Sequence, residues 1–407
     1  MGNAHNIGMA KRRFILAVLI LLLFVSVAGK PRTKMRVVVV FEDEVCFDEV
    51  FLADGKGVPP LKRLFGFNVE KHLSNLVRQG YSEGDALKKT FPLLYGALET
   101  LSKKSFLPPE DATVTLDENT GEFRYTEETV GRKVDFEKLI KDVVRGAKGG
   151  QSVVSLSFVP VYPAVTEKDL RDNTVLRARF KTAFKNSSDA RKSNVKLATK
   201  KLNGATVKHG EIFSFNERIG ARTLDNGFLE APVIIDGKFQ GGVGGGVCQV
   251  STTLYNAVLY ADLTVISVSR HSLPVKYVSA SFDAMVSSMT DFKFMNEGKY
   301  AIFIKSYVKD DELTVEVYGS ALNYEVRLVS EITGSAPRDI KYIDDDTINE
   351  GEEVVVFNGA DGVISHGIME KYANGECIFR REIRKDFYKS QQKIVARGTK
   401  KPNSDKE

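Results

Sequence analysis

The chain has 407 residues, 43% of them hydrophobic and 27% charged, with 58 basic and 53 acidic side chains. That length holds two or three domains with sizeable cores, and that composition rules out a predominantly disordered chain. The net charge of +5 comes without a long basic patch interleaved with aromatics, which argues against a nucleic-acid partner.

Residues 14–28 form an apolar run preceded by Lys11, Arg12 and Arg13 and carrying the small residues Ser26 and Ala28. Positive charge, a short apolar core and small residues describe a secretory signal. Fifteen residues fall short of the roughly 18 expected of a spanning helix. Residues 1–29 are read as a signal peptide or an uncleaved amino-terminal anchor in the cytoplasmic membrane, with the bulk of the chain extracytoplasmic. Of three cysteines, Cys46, Cys248 and Cys377, none forms a C-x-x-C pair, and an odd count leaves at least one free thiol in an exported protein. Cys46 and Cys377 can pair, but are read first as buried small hydrophobes.

Residues 35–41 (MRVVVVF) read as a buried strand, and residues 61–78 and 83–103 as amphipathic helices. Ser82 is placed to cap the second, and Pro92 interrupts its pattern. Residues 113–116 and 122–125 flank Asp117-Glu118-Asn119-Thr120-Gly121, a hairpin by its turn chemistry. Asp135 caps a helix whose face is Phe136, Leu139, Ile140 and Val143, and residues 153–161 alternate as a strand. This α+β unit is assigned residues 30–172. A second unit, residues 180–320, opens with a helix over 189–202, capped by Ser188 and ended by Asn203-Gly204. A hairpin around Asp236-Gly237 leads into residues 241–261, GGVGGGVCQVSTTLYNAVLYA, a glycine run followed by a helix. Strands are expected at 263–269, 275–278, 301–308 and 313–318. Residues 324–400 show strands and short turns without helical periodicity, an all-β module, and 402–407 form a loose tail.

Glycines before a helix let backbone approach closely and accept positive φ. A thiol in the first helical turn sits against unpaired N–H groups and the positive end of the dipole, which favours thiolate. The same sequence also suits a tight structural turn.

Asn203-Gly204, Gly210-Glu211-x-Phe213-Ser214-Phe215-Asn216, Gly220-x-Arg222-Thr223 and Gly227 resemble the VanW family, named after an accessory protein of vancomycin-resistance clusters. The resemblance continues through Gly244 to Tyr255, then Arg270-His271-Ser272, Asp283-Ala284, Asp291 and Asn296. His209, Asp262 and Ser281 depart from it, standing where proline, glycine and glycine are usual. Pro109-x-Asp111-Ala112, Gly131-x-x-Val134-Asp135 and Pro163-x-Val165-Thr166-x-x-Asp169-Leu170 resemble a peptidoglycan-binding domain that also precedes some L,D-transpeptidases. The carboxy-terminal module is similar to the five-glycine domain of cell-wall enzymes, through Gly351-Glu352, Asn358-Gly359, Gly362, Asn374-Gly375 and Gly398. Together these resemblances imply a bacterial, wall-facing protein.

Cys248 begins the helix, His271 follows 23 residues on and Asp283 another 12, each placed after an expected strand. A thiol on a helix with an imidazole and a carboxylate on neighbouring strands is the order of transglutaminase-like and NlpC-type cysteine hydrolases. Thiolate as nucleophile, imidazole as base then acid, and carboxylate fixing the tautomer make up a nucleophilic set. Gln249 and the N–H groups about Gly246 are candidate oxyanion donors. Ser214 and Asn216 are candidates for a substrate groove, and Arg222 and Arg270 for pairing with stem-peptide carboxylates. No close-spaced pair nucleates a metal site, the glycine run lacks a phosphate-loop ending, and no cofactor is expected. The expected fold is multidomain α+β, its central domain carrying a helix-borne Cys packed on an antiparallel sheet, with a β-rich carboxy-terminal module. The expected role is recognition of peptidoglycan, with modification of wall peptide by Cys248, His271 and Asp283; the alternative is a noncatalytic wall-binding adaptor or scaffold.

Overall fold

In the computed structural model, residues 34–41, 44–52, 69–149, 153–235 and 238–401 are described. The expected signal or anchor, the start of the 61–78 helix, the Asp236-Gly237 turn, the Cys46 side chain and the 402–407 tail lie outside the described residues. Among the described residues no helix is long and apolar enough to cross a membrane. The chain divides into two compact units, residues 1–112 with 127–166, and 113–126 with 167–407.

In the first unit, strand Lys34–Phe41 pairs antiparallel with Glu44–Leu52 and parallel with Val153–Ser155. Its alternate residues Val37 and Val39 pack with Leu73, Leu87, Leu94, Leu98, Leu139 and Val143 from the surrounding helices. The 83–103 segment is two helices, Glu83–Thr90 and Pro92–Lys104. Pro92 takes the first position of the second, where its missing N–H costs nothing, and Phe91 leaves helical geometry between them. Ser82 and Asp135 accept first-turn amides at 3.0 and 2.9 Å, so both act as caps. The expected 153–161 strand is likewise two pieces, Val153–Ser155 and Phe158–Val161, and the second pairs with Gly131–Val134.

In the second unit, strands Val175–Ala183, Glu312–Gly319, Ile302–Lys309 and Ala205–Val207 form an antiparallel sheet in that order. Helix Val247–Tyr260 lays Val250, Leu254, Ala257 and Val258 into the core shared with Val315 and Val317 of that sheet. The hairpin Thr113–Leu116 and Phe123–Thr126, read from sequence with the first unit, groups here. Phe123 meets the rings of Phe303 and Tyr318 edge-on, and Glu118 pairs with Arg218, contacts that span too many residues for local patterning to reveal. The expected strand at 275–278 does not form; residues 268–292 run irregularly between Thr264–Ser267 and Lys293–Met295. Side chains of the Val247–Tyr260 helix bond the backbone of the 282–286 stretch. Among the described residues from Glu325 onward every regular element is a strand: Glu325–Ala336, Gly362–Ala373 and Glu376–Tyr388 form one sheet, and Ile340–Asn349, Lys393–Lys400 and Glu353–Phe357 another. Cys377, expected to be buried, is exposed and unpaired on the Glu376–Tyr388 strand.

Candidate functional site

The helix Val247–Tyr260 is entered through Gly246, whose φ of +110° lies in the region that glycine alone occupies freely. A Cβ there would stand 3.0 Å from side-chain atoms of Arg191 and Val195, and one on Gly245 would stand 2.7 Å from the carbonyl oxygens of Ala231 and Pro232. The glycine run therefore serves close packing. Asn194, fully buried on the neighbouring helix Asp189–Leu202, pins it: its amide donates to the oxygens of Leu229 and Gly245, and its oxygen accepts from the Leu229 amide.

One face of the helix is polar yet buried. Cys248, Ser251, Thr252 and Asn256 recur at three- and four-residue spacing, which aligns them along one side. Asn256 donates to the Phe282 oxygen at 2.7 Å, and Ser251 donates to the Ala284 oxygen at 2.6 Å. Thr252 accepts from the Ala284 amide at 2.9 Å, and Cys248 contacts the Val286 amide and oxygen at 3.5 and 3.3 Å. The segment 282–286 thus lies alongside the helix without being a strand. Ser251 and Thr252 spend their hydroxyls on this docking.

The docking brings Asp283 to His271. One oxygen of Asp283 accepts from the His271 backbone amide and faces the ring Nδ1, both at 2.6 Å, and the pair is 1% and 6% exposed. With Nδ1 taken, Nε2 is the nitrogen left for the thiol. Burial raises the Cys248 pKa, but the His271 hydrogen bond and charge, the Val286 amide and the Arg222 guanidinium bring it below the ordinary thiol value. Burial pulls the His271 ring down, yet Asp283 and Cys248 push it up to about 9. Burial raises Asp283, and His271, Tyr388 and Arg384 hold it below the usual carboxylate value. These directions favour a thiolate beside an imidazolium, backed by a carboxylate. Cys248 as a residue keeps partial exposure.

The other residues singled out in the sequence divide. Gln249 is 1% exposed, its amide donates to Thr182 and Ala183, and its oxygen accepts from Arg191 at 2.9 Å. That amide is spent on the fold and has no proton left for an oxyanion. Ser214 caps a short helix through the Glu217 amide and donates to Asp291, while Asn216 donates to the oxygens of Ser287 and Thr290. Both brace the wall of the site. Asn216 also holds the Arg222 guanidinium, whose charge reaches the Cys248 sulfur. Arg270 turns away, donating to the His271 oxygen and lying over the Tyr388 ring.

Four site neighbours carry no local signature. Arg191 and Tyr277 both feel the charge of Cys248, and Tyr277 also bonds Thr252. Burial, first, and then the Cys248 charge raise the Tyr277 pKa, keeping the phenol protonated as a donor. Tyr388 donates to the second oxygen of Asp283 at 2.6 Å, and Arg384 donates to the Asp283 backbone oxygen at 2.5 Å. These last two lie more than a hundred residues along the chain from Asp283, a distance at which nothing in the sequence pairs them.

Comparison with known proteins follows the same order along the chain. Residues 94–155 match the model described as "Putative peptidoglycan binding domain", residues 190–318 that of VanW like protein, and residues 329–400 that of the G5 domain. The uncharacterized protein YoaR of Bacillus subtilis (strain 168) is 33% identical over 194 residues, covering 47% of this chain and 64% of the relative. The vancomycin B-type resistance protein VanW of Enterococcus faecalis is 30% identical over 131 residues, covering 31% of this chain and 48% of the relative. The chain thus spans less than two thirds of the length of either relative. A solved IgA1 protease G5 domain covers 19% of this chain and 95% of its own, at 19% identity and a TM-score of 0.14. Cys248, His271 and Asp283 all fall in the middle match, and the three matches follow one another along the chain without overlap.

Proposed function

We propose that this chain is an exported cell-envelope protein that binds peptidoglycan and transfers an acyl group of wall peptide through Cys248. The domain matches support the wall-facing part of this reading, and the apolar segment at 14–28 supports export. The observation that carries the chemistry is the His271 ring, held at Nδ1 by a buried carboxylate and acting on the Cys248 thiol.

In this reading the thiolate attacks the carbonyl carbon of a stem-peptide amide, forming a C–S bond and an oxyanion. The C–N bond then breaks as His271 gives its Nε2 proton to the leaving amine, which leaves a thioester on Cys248. Water or an incoming amine attacks the thioester, His271 takes the attacker's proton, and the sulfur leaves as thiolate. Asp283 keeps the ring in the Nδ1–H tautomer and stabilises the imidazolium. Tyr277 is available to donate to the oxyanion, and Arg222 to attract a substrate carboxylate.

A noncatalytic adaptor is the second reading. Its supporting observation is that the Cys248 thiol already has partners in the Val286 backbone, as a structural thiol would. Incubation with defined muropeptides separates the two. A change in muropeptide mass that is lost in Cys248→Ser supports transfer; binding to sacculi without any mass change supports the adaptor.

A further inference from the structure

We propose that Tyr388 and Arg384, on the carboxy-terminal strand Glu376–Tyr388, are positioning residues for Asp283, so that the carboxy-terminal module completes the Cys248 site. This deepens the acyl-transfer reading and rests on it for its functional meaning. Both residues lie outside the VanW-like match at 190–318 and inside the G5 match at 329–400. The set of cysteine, histidine and aspartate thus belongs to one domain, and the clamp on its acid to another.

A buried carboxylate presents two oxygens, and its orientation is defined only when both are held. His271 takes one with its amide and ring. Tyr388, 1% exposed, holds the other at 2.6 Å and accepts the Ser281 amide at 2.8 Å. Arg384 stands 3.6 Å from that same oxygen; it is backed by Asp386 at 2.9 Å and lies over the Tyr255 ring of the central helix. The groups facing Asp283 are therefore His271, Tyr388 and Arg384. Those acting on the thiol are His271, Arg222, Arg191 and Tyr277.

The two departures from glycine in the VanW-like pattern belong to this junction. Ser281 and Asp262 have φ of +67° and +51°, conformations that strain a residue with a Cβ. Ser281 bonds Ser365 at 2.8 Å, and Asp262 pairs with Lys371 at 2.6 Å and with the Tyr324 hydroxyl. The strain is offset by bonds to the carboxy-terminal strands. The backbone adds a further tie, from the Lys389 amide to the Ser272 oxygen. The loop carrying His271 and Asp283 is held between the central helix on one side and this sheet on the other.

The test is the pH profile of Cys248 alkylation by iodoacetamide in the full chain, read on the Cys248 peptide by mass spectrometry. Wild type is compared with Tyr388→Phe, Arg384→Gln and Lys371→Met, with thermal melting to identify variants that keep the fold. Losing either clamp frees the carboxylate to swing off Nδ1, which weakens the imidazolium and with it the thiolate. Tyr388→Phe and Arg384→Gln are expected to shift the midpoint upward by about one pH unit, a tenfold slower reaction on the acidic limb. Lys371→Met loosens the same junction without touching Asp283 and is expected to leave the midpoint in place. A wild-type midpoint in a folded Tyr388→Phe or Arg384→Gln overturns the proposal, as does an equal shift in Lys371→Met. If wild type turns over no muropeptide while these midpoints still move, the functional reading fails and the positioning role stands.

Discussion

Replacing Asp283 by Asn removes the charge behind His271 while preserving volume. The amide oxygen can still accept from the His271 backbone, so the loop has a route to its present docking. What is lost is the charge that helps raise His271 from 6.5 to about 9. A complete return to 6.5 corresponds to about 3 kcal/mol of imidazolium stabilisation. That is a ceiling, because Cys248 supplies part of the rise. Raised in the folded chain, His271 contributes fully below 6.5, and its contribution fades as pH climbs through about 9. Asp283 is lowered, so it contributes above 3.8 and fails as pH falls through its depressed value. The pair is therefore at full strength near pH 6, where Asp283→Asn is expected to destabilise the fold by about 2 kcal/mol. The assay is an NMR titration of the five histidines, with His271 identified by the signal missing in His271→Gln, alongside urea unfolding at pH 6 and 9. A His271 that still titrates near 9 in Asp283→Asn, or at 6.5 or below in wild type, refutes the assigned role of the carboxylate.

Asn194→Ala strips the partner from Leu229 N–H and Gly245 C=O, while Leu229 C=O keeps the Gly244 amide; at about 1–3 kcal/mol for each orphaned group, a loss of about 2 kcal/mol or more is expected in urea unfolding. A loss under about 1 kcal/mol would mean that water replaces the side chain. Gly246→Ala forces a Cβ into a φ of +110° and against Arg191 and Val195, and is expected to cost about 1–3 kcal/mol and to slow Cys248 alkylation. Unchanged stability would show that the turn relaxes freely. In Cys248→Ser the His271 pKa is expected to fall below its wild-type value while staying above 6.5, because Asp283 remains; a ring at or below 6.5 would assign the whole rise to the thiol.

Much of the local structure was legible because it is local. The caps at Ser82, Ser188 and Asp135 depend on a side chain and an amide three residues on, and the glycine turn before Cys248 on backbone freedom alone. The segment at 275–278 misled because β-branched residues mark a strand only where a partner edge exists. Here the polar face of the central helix satisfies the backbone nearby instead. Gln249 and Arg270 looked available for substrate, and both turn inward onto the fold, choices set by residues some 60 and 116 positions away. Tyr277, Arg191, Tyr388 and Arg384 reach the site by tertiary packing, and no spacing rule connects them to Cys248 or Asp283.

The central claim is that Cys248 carries an acyl group of wall peptide. Intact-mass analysis after rapid acid quench of the protein with a defined tetrapeptide muropeptide, followed by peptide mapping, tests it most directly. A thioester adduct on Cys248 that is absent in Cys248→Ser, and depleted in His271→Gln, is the predicted result. No adduct and no altered muropeptide between pH 5 and 8, from protein that still binds sacculi, would contradict it.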